Sequence, residues 1–100
     1  MTGDIETVRH VIEDTIREQL EGAVIDSVKV YEDFDHDGDP ILRVFVIYDD
    51  KASKLDTGKT VGMVRHIWKK LEERAVAEDR FPIISYISRS DAKRLNAATA

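Results

Sequence analysis

The stretch EDFDHDGDPI, Glu32–Ile41, decides how the chain is read. Asp33, Asp35, Asp37 and Gly38 have the D-x-D-x-D-G spacing of a calcium loop, and the same residues suit a turn between two strands. A calcium loop needs a bidentate carboxylate at its twelfth position. Counted from Asp33, that position is Val44, inside an apolar run where extended backbone cannot wrap an ion. Asp37-Gly38 tolerates positive φ and joins two strand-like runs, so the stretch reads as a hairpin turn and no metal is expected. Glu32, Asp33, Asp35, Asp37 and Asp39 repel one another, which keeps the tip solvated.

On one side of the turn, residues 24–33 alternate. Val24, Val28 and Val30 fall on one side, and Ile25, Lys29 and Tyr31 on the other. On the other side of the turn, ILRVFVIYD (residues 41–49) is rich in β-branched and aromatic residues and apolar on both faces apart from Arg43, the pattern of a central strand. A third strand is predicted over PIISYIS, residues 82–88, with Pro82 at its start, where no ladder donor is needed.

Helical spacing brackets these runs. Ile5, Val8, Ile12, Ile16 and Leu20 form one stripe over residues 4–21, with Thr2 or Asp4 as cap, Gly22 as left-handed stop and a Glu13–Arg17 pair on the wet side. A second helix is predicted over residues 57–78, capped by Asp56 or Thr57, with Val61, Val64, Ile67, Trp68, Leu71 and Ala75 as its buried stripe. Ser88 and Asp91 have capping spacing, which predicts a short helix over residues 89–96. Fraying is expected over 97–100.

The order α-β-β-α-β-α implies an α+β domain: a two-layer sandwich on a three-stranded mixed sheet, with a hairpin, a helix-containing crossover and both long helices on one face. Val28, Val30, Val44 and Val46 would then face the helices. Ile25, Tyr31, Ile41, Phe45, Ile47 and part of IISYI would line the opposite face, more apolar area than a soluble monomer usually exposes. That face is read as an interaction surface, with Tyr31, Phe45 and Ile47 as apolar contacts and Asp35 and Asp37 as rim charges.

Composition bounds the function. One hundred residues, 42% hydrophobic and 35% charged, suit a single soluble domain spanning 1–100. The net charge of −5 disfavours non-specific nucleic-acid binding. The lack of cysteine removes disulfides, thiolate metal sites and cysteine nucleophiles, and fits a cytoplasmic setting. The polar start MTGDIETV has no signal-peptide pattern, and VFVI, the longest apolar run, is too short to span a membrane.

SKLDTGKT, Ser53–Thr60, departs from a phosphate loop where Ser53 replaces the first glycine, so it is read as a plain helix start with a solvated Lys59. His10, His36 and His66 lack ligand spacing, and no nucleophile elbow or carboxylate pair is marked out; no cofactor and no catalytic residue are assigned. Arg65, Lys69, Lys70 and Arg74 form the one basic concentration, diluted by Glu72, Glu73 and Glu78.

Two resemblances accompany this reading. The order helix-strand-strand-helix-strand over residues 4–88 is similar to minimal nucleotidyltransferase domains, including antitoxins paired with small toxins. Glu32-Asp33 stand where that family has Gly-Ser, and Leu42-Arg43 where its second strand begins with acidic metal ligands. The resemblance therefore implies a degenerate, partner-binding member. The same order resembles KH-type ribosome-assembly domains, with Gly58 and Gly62 in G-x-x-x-G instead of G-x-x-G; this implies RNA binding through Arg65, Lys69 and Lys70. The leading expectation is a non-enzymatic protein-binding or regulatory module that contacts a protein partner or a second copy. The alternatives are the RNA binder and a metal-dependent nucleotidyltransferase using the acidic hairpin.

Overall fold

Strand β2 (Pro40–Tyr48) is the centre of a three-stranded sheet of order β1-β2-β3, flanked by β1 (Ile25–Phe34) and β3 (Phe81–Ser88). A computed structural model describes residues 4–99, with side chains through Leu95. β1 pairs antiparallel with β2 through the Asp35–Gly38 turn, and β2 pairs parallel with β3. The fold is α+β, with the element order and mixed sheet that the sequence implies.

Helix α1 (Ile5–Gln19) forms where the apolar stripe predicts it. Asp4 caps it by accepting a hydrogen bond from the Thr7 amide; Thr2, the alternative, lies outside the described residues. Glu13 binds both Arg9 and Arg17, at 2.7 and 3.0 Å, so its wet face is tied along its length. Gly22 does not take the left-handed stop: the backbone turns at Leu20, with φ −109°.

The long helix predicted over 57–78 is broken in two. α2 (Thr57–Thr60) is a single turn, and α3 (Met63–Glu73) starts anew after Gly62, whose φ of +78° no continuous helix allows. Val61 is consequently exposed, and Met63, missed in the predicted stripe, is fully buried. α3 ends at a Schellman motif: the Ala75 amide donates to the Glu72 carbonyl and the Val76 amide to that of Leu71. Ala75 thus adopts φ +55° and points to solvent, not into the core. Val76 packs back on the core that holds Leu71.

The core lies between one sheet face and the two helices. Val8, Val11, Ile12 and Ile16 of α1 meet Met63, Ile67 and Leu71 of α3 over Val28, Leu42, Val44 and Val46. Each such aliphatic residue contributes roughly 1.5–3 kcal/mol by its removal from water. Val28, Val30, Val44 and Val46 face the helices as expected. Ile25 does not join the opposite face. The β1–β2 register shifts between Ile25 and Ser27, where two steps on β1 match one on β2, and this bulge turns Ile25 into the core and Val24 outward.

The final helix α4 (Arg89–Thr99) follows β3 directly, and the Ser88 hydroxyl accepts from the Asp91 amide as its spacing predicts. Its backbone is helical through Thr99, into the segment expected to fray; Ala100 lies outside the described residues. Among the described residues no helix is long and apolar enough to cross a membrane.

Candidate interaction surface

Residues paired across a sheet share a face, so the register assigns the side turned away from α1 and α3 row by row. The rows are Asp33–Ile41–Phe81, Tyr31–Arg43–Ile83, Lys29–Phe45–Ser85 and Ser27–Ile47–Ile87. Tyr31, Phe45 and Ile47, singled out in the sequence, do come together here. The Tyr31 and Phe45 rings meet edge to face, with centroids 5.9 Å apart at 61°. Phe45 and Ile47 are half-buried, whereas Tyr31 is 52% and Phe81 55% exposed. Ile41 is buried on this side, outside the main core cluster.

A charge pair crosses the apolar surface. Arg43 Nε donates to Asp33 Oδ2 at 2.5 Å, and the Asp33 carboxyl is held below the usual carboxylate range, first by that bond and then by the Phe34 amide. Arg43 thereby presents a neutralised pair, and its stem lies between Tyr31 and Ile83 in the cross-strand row. Phe81 and Ile83 extend the patch onto β3; the alternation of FPIISYIS could have shown this, once its pairing partner was known.

The acidic turn is built from within. Asp35 Oδ1 accepts from the amides of Asp37 and Asp39, both at 2.9 Å, and the Gly38 amide donates to the Asp35 carbonyl. Gly38 has φ +86°, the left-handed value a turn of this kind demands. Asp35 therefore spends a carboxylate oxygen on the turn itself, and Asp37 projects into solvent beside His36. Val44, at the twelfth position of the calcium count, is wholly buried. Among the described residues no group of three or more His, Asp or Glu converges as a metal site.

The other candidates separate in space. Asp56 caps α2 by accepting from the Gly58 amide at 2.9 Å, which fills the one-turn helix start with the chain's own carboxylate. Lys70 binds Glu18 of α1 at 3.0 Å and Arg74 binds Asp14 at 2.8 Å, so half of the basic stripe is neutralised across the α1–α3 seam. Arg65 and Lys69 remain on the exposed side. His10 and His36 are exposed and His66 is half-buried in that seam.

Sequence reasoning missed one buried charge cluster. Arg80, 6% exposed, bonds Glu78 through Nε and Nη2 and Glu32 through Nη1, all at 2.7–2.8 Å. Its guanidinium is held charged, chiefly by the Glu78 hydrogen bonds. An arginine before a strand carries no local signal of burial. Only the fold places it against Glu32.

Comparisons of the chain with known protein families, curated proteins and solved structures find no match.

Proposed function

We propose that this chain is a non-enzymatic protein-binding module, antitoxin-like or regulatory in role, that acts in the cytoplasm and docks its partner on the open sheet face. The observation that carries the reading is the cluster of Tyr31, Phe45 and Ile47 on the side of the sheet away from α1 and α3. Aromatic and aliphatic anchors around a neutralised charge pair are the composition of an interface centre. The acidic turn stands at one end of the sheet, where charge acts on encounter rate more than on affinity.

The test is site-specific photo-crosslinking in the native host, with the photoreactive residue at Tyr31 or, as a control, at Lys69. A discrete protein adduct at Tyr31 that Ile47→Asp abolishes supports the reading. RNA captured at Lys69, with no protein at Tyr31, overturns it in favour of a nucleic-acid binder.

A further inference from the structure

The two edges of the sheet are built differently. β1 carries Asp26, Lys29, Glu32 and Asp33 and is bulged beside Ile25. Charges and bulges are the features that keep an edge from pairing with another chain. β3, FPIISYIS, has no charged residue, and among the described residues it is paired only on its β2 side. Pro82, near its start, is the single blunting residue.

Exposed apolar groups and two hollows follow that edge. One hollow, about 540 Å³, lies between Tyr86, Ile87 and the α4 residues Arg94 and Leu95. The other, about 350 Å³, lies between Gly62–Val64 and Phe81–Ile84. Leu95 is 57% exposed at the first, and Phe81 and Ile83 are 55% and 39% exposed at the second. Tyr86 borders both, and its buried hydroxyl has no hydrogen-bond partner among the described residues.

We propose that β3 pairs antiparallel with β3 of a second copy, about a dyad at Ile84–Ser85, joining two three-stranded sheets into one of six. Three features make the edge complementary to itself. An uncharged strand meets its own copy without like-charge repulsion, although the chain carries −5 overall. The hollows lie at opposite ends of β3, so a dyad carries the Leu95 face of each α4 toward the Gly62–Phe81 hollow of the other copy. The flanks also differ in sign. Arg89 pairs with Asp26 and Asp49 and Arg94 with Asp91, which leaves Lys93 as the excess charge after β3, while Arg74 pairs with Asp14 and Arg80 with Glu78 and Glu32, which leaves Glu72 and Glu73 as the excess before it. Antiparallel pairing sets each basic flank against an acidic one; parallel pairing would set like against like. This contact shares Phe81 and Ile83 with the docking surface proposed above but leaves Tyr31, Phe45 and Ile47 free.

Light scattering on the eluting full chain, repeated by sedimentation across a wide concentration range, tests it. The expected mass is twice 11.4 kDa. Ile83→Lys, at an exposed position, should weaken self-association at least about tenfold with an unchanged far-UV spectrum. Tyr31→Lys should leave the dimer intact. Hydrogen exchange should show protected β3 amides in the dimer that become labile in Ile83→Lys. A monomer at every concentration overturns the proposal. So does a dimer that Tyr31→Lys disrupts or that Ile83→Lys leaves intact, because the contact then lies elsewhere. Crosslinking at Tyr31 reads the heterologous partner separately, so either conclusion can fail alone.

Discussion

Asp26 and Arg89 clasp one another by two parallel hydrogen bonds, Nε to Oδ2 at 2.6 Å and Nη2 to Oδ1 at 2.5 Å. Asp26 is the residue left over by the β1 bulge, and Arg89 opens α4 while also reaching Asp49 at 3.0 Å. The irregularity in the first strand is thus the anchor of the last helix. The Arg89 hydrogen bond is the main cause that lowers the Asp26 carboxyl below its ordinary range.

A lowered carboxyl stabilises the folded chain above the unfolded value of about 3.9 and loses that contribution as pH falls through the folded one. Asp33, lowered by Arg43, acts in the same direction. Melting temperature should therefore drop on acidification below about pH 4, and the drop should be shallower in Asp26→Asn. The same variant should speed amide exchange in α4 at neutral pH with little change in α1. An identical acid limb in variant and parent would refute the role of the clasp.

Ala75 occupies the left-handed position of the Schellman motif that a glycine ordinarily fills. Relief of that strain is partly offset by the greater freedom of glycine in the unfolded chain. Ala75→Gly should stabilise the fold by about 0.5–1 kcal/mol, raising the melting temperature by roughly 2–8 °C. Urea titration checks the free energy, and unchanged m would show that compactness is preserved.

Asp35 and Asp37 are neighbours in sequence and opposites in role. Asp35→Ala strips the acceptor from two turn amides and should cost about 1 kcal/mol. Asp37→Ala should be silent in denaturation. For partner encounter, Asp37→Lys is the clean charge reversal, and stopped-flow association should slow in low salt and recover in high salt. An association rate indifferent to both charge and salt would remove the turn from the docking event.

Arg80 supplies a fourth test. Its guanidinium sits against a fully buried Glu78 side chain and an exposed Glu32. Arg80→Ala leaves the Glu78 charge buried and should cost about 3 kcal/mol in chemical denaturation. Glu32→Ala should cost much less, because the exposed partner of a pair can be replaced by water. Equal losses would mean that the stabilisation runs through the exposed Glu32 and not through the buried Glu78.

The strands and α1 were legible because their patterns are local: alternation around Phe45 and a stripe from Ile5 to Leu20 need no knowledge of partners. The break at Gly62 was not, since Val61 and Val64 fit one stripe while the glycine between them reads equally as a weak helical residue. The bulge at Asp26 was hidden for another reason. A shift of register leaves no mark on one strand alone; it exists only in the pairing with Tyr48 and Ile47. On the proposed surface, Tyr31, Phe45 and Ile47 followed from parity, whereas the contribution of Phe81 and Ile83 required the parallel partner to be known.

The parallel pairing of β2 with β3 also orders the birth of the sheet. Residues 49–80 must close as a loop before that ladder can start, while β1 and β2 need only the tight Asp35–Gly38 turn. The hairpin should accordingly belong to the rate-limiting nucleus and the third strand should join afterwards, with φ-values high at Val30 and Val44 and low at Ile84. During synthesis the strand joins last, once α3 has been made, and until then the greasy side of Leu42, Val44 and Val46 lacks half of its roof.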